Sequence, residues 1–258
     1  MPELIEVELY RQVADLAVGR TITRVDAPDA WYLKGGTTGR QMRSLPGRAV
    51  TGTRRVGKLL LVDTDGPTLG LRFGMTGRLV VDGRAPIERL EYSSGRDDPA
   101  WVRFALGLDG VGDLRVVDPR RLGGVQLDPD ESHLGVDALA VRPAQLRDLL
   151  ARSRSPVKAW LLDQRHVAGV GNLLADEVLW RAGIDPSRPA SSLAPADARR
   201  LHSHLQGTIT ELTRRGGSHT GDLQVARVRG ASCPRDGTPL QRRTIGGRTT
   251  YSCPRHQR

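Results

Sequence analysis

Apolar positions open the chain at helical spacing: Ile5, Leu9, Val13 and Leu16 share one face and Gly19 supplies a stop, predicting a helix from residue 3 to about 18. Pro2 stands where a helix tolerates proline, because first-turn N–H groups have no intrahelical partner. From Thr21 to about Asp128 the pattern becomes short β-type runs, such as "RAVTGTRRVGKLLLVDTDG", "TLGLRFGMTGRLVV" and "WVRFALGL", punctuated by Gly, Asp and Pro. These predict a β-sandwich or barrel, with the polar stretch 83–100 as a long loop. After about His133 the period turns helical again in "RPAQLRDLLARS", "PVKAWLLDQ", "NLLADEVLWRAG" and a longer run ended by Gly216-Gly217. The last segment reads as a hairpin around Gly246-Gly247. The fold class is therefore α+β, in three parts: 1–130, rich in strands behind a leading helix; 131–225, helical; and 226–258, the hairpin. A linker is expected near 128–135, and no internal repeat is found.

The 258 residues are 38% hydrophobic, enough for a packed core. No run approaches a membrane span and no signal peptide is seen, so a cytoplasmic location is the expectation. Against 29 Asp+Glu stand 39 Lys+Arg, a net charge of +10 that favours a polyanionic partner, nucleic acid before an anionic membrane. Only Lys34, Lys58 and Lys158 are lysines. A lysine that persists among so many arginines hints at a position that needs a compact or titratable ammonium, though chance would also leave a few.

Chemistry-bearing residues cluster in a few stretches. In "HVAGVGNLLADEVLWRAGIDP" the glycines permit a tight turn whose N–H groups, with Asn172 at the next helix start, could approach a phosphate; the same turn is also ordinary structural glue. Cys233, Asp236, Cys253 and His256 form a C-x2-D-x16-C-x2-H array, a zinc-ribbon spacing with two thiolates replaced by other competent ligands. A disulfide, or a hairpin held by packing alone, are the other readings. Arg248 on that hairpin is placed to meet a phosphate. "DPRRLGG" presents Arg120 and Arg121 beside Leu122, which suits either a wedge entering a base stack or a surface turn with a buried leucine. Met75 in "FGMTG" is by default a core residue.

Taken in order, "MPELIEVE", "VGKLLL", "GMTGRL", "DPRRLGG", "VKAWLLDQRHVAGVGNLLADEVLWRAGIDP" and the last 26 residues resemble the formamidopyrimidine-DNA glycosylase and endonuclease VIII family of base-excision repair enzymes. The resemblance covers nearly the whole chain. It implies two domains around a DNA cleft: an N-terminal catalytic β-sandwich, then a helix–two-turn–helix domain with a C-terminal zinc-finger-like hairpin. It also implies that methionine is removed and that the amine of Pro2 attacks C1′ of the damaged nucleotide, forming a Schiff base. Glu3 is then the acid that protonates the ribose ring oxygen, a role suited to a raised pKa, and Glu6 orients the amine or shuttles protons. Lys58 holds the phosphate beside the lesion, and Lys158 matches the family's other motif lysine, which places it among the DNA-binding residues. Met75, Arg120 and Leu122 fill the space left by the flipped nucleotide, with Arg120 facing the orphaned base. Asn172 and Arg248 pinch the backbone. The implied activity is a glycosylase with abasic-site lyase action by β,δ-elimination. One zinc ion is implied per chain, with damaged double-stranded DNA as partner and a monomeric, bacterial, nucleoid-associated protein.

Several positions depart from that pattern. Ile5 stands where the oxidised-guanine enzymes have a second proline, Arg72 where a histidine is usual, and Leu122 where they carry phenylalanine. Only Asp222 to Ser232 separate the glycine-pair region from Cys233, a much shorter segment than the loop that closes over the base in those enzymes, and the lysine of that loop is missing. These differences suggest a divergent, actinobacterial-like paralogue with an open base pocket, poorly matched to 8-oxoguanine. Two other classes compete: a damage-binding protein without turnover, which has no need of an amine nucleophile, and an RNA-binding protein with a zinc ribbon, which leaves the N-terminus unexplained.

Overall fold

The computed structural model describes all residues except 1, 88, 89, 91–97 and 111, so much of the loop predicted over 83–100 lies outside the described residues. Two compact units are present: Glu6–Glu131 with residues 1–2, and Ser132–Arg258 with Glu3–Ile5. Helix α1 (Leu4–Ala14) begins the chain. It gives way to a 3-10 turn, Asp15–Ala17, before Gly19 at φ +83°. The tighter turn breaks the α period, which explains why Leu16, predicted on the apolar face, is exposed.

The first unit is the expected sandwich. Strands β1 (Ile22–Asp26), β6 (Val102–Leu108), β7 (Asp113–Val117) and β5 (Arg78–Val81) make one antiparallel sheet in that order. Strands β2 (Val50–Val56), β3 (Leu59–Thr64), β4 (Leu69–Arg72) and β8 (Gly124–Leu127) make the other. A one-turn helix α2 (Gly39–Met42), closed by a capping box from Thr38 and Gln41, lies in the β1–β2 connection. Leu60, Val62, Leu71, Leu79, Phe104, Leu106 and Val116 fill the core with Val7 and Tyr10 of α1. All of Leu59–Val62 is buried, which is why β3 reads as an unbroken apolar run rather than an alternation.

In the second unit α3 (Pro143–Ala151), α4 (Val157–Leu162), α5 (Asn172–Ala182) and α6 (Pro195–Arg214) surround a separate core. A short parallel pair, β9 (Val136–Asp137) and β10 (Val167–Ala168), precedes the glycine turn. Helix α5 is buried almost all round and stops at Gly183, φ +66°, with Ile184 N–H returning to Leu179. Residues 226–258, expected as a separate part, group with this unit. Their hairpin, β11 (Gln241–Ile245) and β12 (Arg248–Ser252), turns through Gly246 and Gly247, both at positive φ, as a two-residue turn requires.

Candidate functional site

In the first unit, Lys58 sits with Gly57 (φ +58°) at the two-residue tip joining β2 to β3 and is half-buried. Pro2 and Glu6 belong to this unit and are buried. Two loops are built as one piece. The carboxylate of Asp118, fully buried, accepts from Thr76 Oγ1 (2.6 Å), Tyr32 Oη (3.3 Å), Gly123 N (2.9 Å) and Arg120 N (3.2 Å). The methionine loop and the arginine loop are thereby tied to one residue. Their backbones touch so closely that a Cβ on Gly74 would lie 2.4 Å from Leu122 C. What this hub holds outward is Leu122, 51% exposed, and Arg120, also exposed, which pairs with no carboxylate among the described residues. Leu122 is therefore not the buried leucine of an ordinary turn, and half-exposed Met75 is absent from the core cluster. Neither Asp118 nor Thr76 was singled out from the sequence; the Asp-x-Arg spacing of an Asx-type turn was the available signal.

In the second unit Glu3 is fully buried, and its carboxylate accepts from Gly171 N (2.9 Å), Leu173 N (2.9 Å) and Leu174 N (3.1 Å). These are the free N–H groups at the start of α5, so the anion at this helix terminus is the chain's own side chain. The turn is cut to fit it: a Cβ on Gly171 would lie 2.2 Å from Glu3 Cδ, and Gly169, φ +113°, receives Leu4 in the same way. The glycine-turn N–H groups expected to approach a phosphate are thus already engaged. Asn172, beside them, is half-buried, with an Oδ1 that is buried and lacks a hydrogen-bond partner among the described residues.

Lys158 corrects another expectation. Its side chain is fully buried, so it is not a DNA ligand on an accessible surface. The ammonium lies 2.7 Å from Asp176 Oδ1 and donates to Thr250 Oγ1 (2.8 Å) and Thr249 O (3.2 Å), fastening β12 to α4 and α5. Burial pushes this lysine below its ordinary pKa, opposed by Asp176. Arg227 completes the cluster, 3.2 Å from Asp176 Oδ2. Only a compact ammonium donates in three directions from so small a space, so the scarcity of lysine pointed to a real constraint of a different kind. On the strand so held, Arg248 is exposed at the hairpin turn.

The four candidate metal ligands do converge: their ligand atoms all lie within 4.8 Å of one another. His256 Nε2 faces Trp180 O (3.2 Å), which places a proton there and leaves Nδ1 as an acceptor. That acceptor faces Asp236 Oδ2 (3.1 Å) and Cys233 Sγ (3.8 Å). Acceptors gathered in this way need a proton or a cation between them, and two thiolates, an imidazole and a carboxylate suit tetrahedral zinc. Trp180 Nε1 donates to Cys233 Sγ (3.3 Å), an orienting bond that no spacing in the chain signals. Burial and a hydrogen bond from the thiol to Asp236 push Cys253 up, holding a proton that a divalent ion would displace.

Residues 1–125 match the formamidopyrimidine-DNA glycosylase N-terminal domain, and residues 134–223 match the H2TH domain of the same enzymes. A formamidopyrimidine-DNA glycosylase of Moorella thermoacetica is 37% identical, with 94% of each chain covered, and one of Methylococcus capsulatus is 35% identical over all of both chains. Among solved structures, the Lactococcus lactis enzyme with DNA containing a benzylated formamidopyrimidine aligns at TM-score 0.82 and 25% identity over 100% of each chain. The same enzyme with abasic-site DNA aligns at TM-score 0.83 and 25% identity over 99% of each.

Proposed function

The chain belongs to the formamidopyrimidine-DNA glycosylase family and is a DNA glycosylase of base excision repair, and from that premise we propose that it excises the base with the Pro2 amine and then cleaves the strand. The observation that carries this reading is the loop pair built on Asp118, which fixes an exposed leucine beside an arginine with no carboxylate partner among the described residues, the equipment for entering a stack and facing an orphaned base.

The Pro2 nitrogen, freed by methionine removal, donates its lone pair to C1′, and the glycosidic electrons leave with the base, which takes up a proton. Glu3, held by the N–H groups of Gly171, Leu173 and Leu174, accepts the proton released from the amine and passes it to the ring oxygen, so the sugar opens to an iminium. Loss of a C2′ proton then lets the electron pair expel the 3′ phosphate, and a second elimination expels the 5′ phosphate. Water hydrolyses the iminium and restores the amine. Glu6 orients that amine, and Lys58 and Arg248 neutralise phosphates. Met75 and Leu122 fill the vacated space, Arg120 faces the orphaned base and Asn172 contacts the backbone. Cys233, Asp236, Cys253 and His256 hold one zinc ion, whose contribution when bound is to tie the two ends of the hairpin together.

Ile5, buried in the second unit's core, Arg72, half-buried in β4, and the short 222–232 segment favour ring-opened purines, oxidised pyrimidines or abasic sites over 8-oxoguanine. The protein is read as a monomer acting on chromosomal DNA; no helix among the described residues is long and apolar enough to cross a membrane.

Borohydride reduction in the presence of abasic DNA tests the central step. A covalent adduct is expected from the methionine-processed chain and a far weaker one from Pro2→Gly. No adduct, with tight abasic-site binding retained, would leave a damage-binding protein instead. Elemental analysis should find about one zinc per chain.

A further inference from the structure

Trp31 is 67% exposed, unusual for the largest apolar side chain, and no core residue claims it. It stands on a short 3-10 turn in the first unit, in a groove of about 650 Å³ lined by Pro28, Pro99, Val102, Arg103 and Arg121. Lys34 lies 4.2 Å above the indole and is fixed there by a 2.7 Å bond to Trp31 O. Asp29 accepts from Trp31 N (3.1 Å) and also takes both arms of Arg121 at 2.6 and 2.7 Å. Arg121 itself sits at φ +55°, a backbone position unusual for arginine, between Arg120 and Leu122. One carboxylate thus links the tryptophan turn to the loop that holds the wedge. Lys34 over the indole, with Arg103 and Arg121 in the groove, stands against Asp29, a net positive charge around an apolar plate.

We infer that Trp31 is a stacking platform for a nucleobase unstacked beside the 118–124 loop, with Lys34 and Arg103 meeting the phosphate of that nucleotide. The inference rests on the glycosylase reading, which brings that loop into a duplex. A flat indole flanked by cations is the chemistry that binds a base with its backbone, and the bidentate Asp29–Arg121 pair sets the plate at a fixed place relative to the wedge.

The test uses the full chain and a duplex carrying a tetrahydrofuran abasic analogue, with 2-aminopurine placed in turn opposite the analogue and at its two neighbours. Binding of the unaltered protein should quench one of these probes more than Trp31→Ala does. Trp31→Ala should weaken affinity for this duplex about tenfold, more than for intact duplex, and Trp31→Phe should keep most of it. Unchanged affinity and quenching in Trp31→Ala, or an equal loss on intact duplex, would overturn the inference. Failure of the unaltered protein to prefer the abasic duplex would instead count against the glycosylase reading itself. Because Trp31 is exposed, thermal midpoints of the variants should match the parent, and quenching in the unaltered protein is a direct measure if they do not.

Discussion

In the first unit a buried carboxylate, Asp118, is surrounded by neutral donors, two hydroxyls and two backbone N–H groups, whereas in the second Asp176 sits between the cations Lys158 and Arg227. Both are essentially inaccessible to solvent. Neutral donors hold Asp118 without consuming a cation, so Arg120 on the same loop keeps its charge for a polyanion. In the second unit the cations serve as fasteners and cancel inside, and what reaches the surface is the strand they hold, with Arg248 at its end. The first arrangement displays charge; the second turns charge into rigidity.

The comparison breaks most visibly at Asp176. Asp176→Asn leaves Lys158 and Arg227 buried without their counter-charge and should cost about 3–5 kcal/mol. Hydrogen exchange should show the loss in α5 and β12 while the sandwich amides stay protected. Lys158→Met, Asp176→Leu and Arg227→Met together should recover much of it, because removing all three charges also removes their desolvation. Asp118→Asn should cost less, about 1–3 kcal/mol, since only one oxygen remains to accept and the new amide faces donors. That loss should appear in the 74–77 and 118–124 amides, and affinity for abasic DNA should fall with it. If either substitution loosened the other unit equally, the two arrangements would not be independent.

Gly171→Ala sharpens the contrast at the helix terminus. Its backbone is allowed for any residue, so the effect comes only from the Cβ meeting Glu3. Loss of this cap should cost about 1–2 kcal/mol, with a larger fall in the rate of base excision than in abasic-site binding. Matched excision rates would mean that Glu3 works equally well when displaced.

These contrasts were legible in the sequence only where they are local. The hairpin at Gly246-Gly247, the α6 stop at Gly216-Gly217 and the C-x2-D…C-x2-H array are set by neighbours a few residues apart or by a repeated spacing, and each was found. The four ligands converge because the turns at Asp236 and His256 present them alike, which spacing encodes. Glu3 meets its partners some 170 positions away, Thr76 meets Asp118 across 42, and Lys158 meets Thr250 across 92. No periodicity records such pairings, and a lone lysine in a basic chain reads as a phosphate ligand until its burial is seen. Trp31 escaped for the opposite reason: a tryptophan between apolar neighbours is assigned to the core by default, and only the fold shows that it stands outside.

The smallest effect tests whether fastening by charge extends to the surface of the second unit. Arg181 bridges Glu177 (2.7 Å), Glu211 (2.6 Å) and Asp222 (2.8 Å), and Arg215 adds a second cation to Glu211. Hydrogen bonds from Arg181 and Arg215 lower the Glu211 carboxyl from its ordinary 4.5 to about 2. A depressed carboxyl contributes stability that is present above the unfolded value and lost as pH falls through the folded one. The Glu211 contribution should therefore be complete above about pH 4.5 and vanish toward pH 2. Because Glu211 is 39% exposed, solvent screening limits it to about 0.5–1 kcal/mol. Exchange protection of α6 in Glu211→Gln, followed across that window, should lie below the parent at pH 6 and meet it near pH 2. A gap that stayed constant through the acid range would assign the effect to packing, and fastening by charge would then stop at the buried Lys158–Asp176–Arg227 cluster.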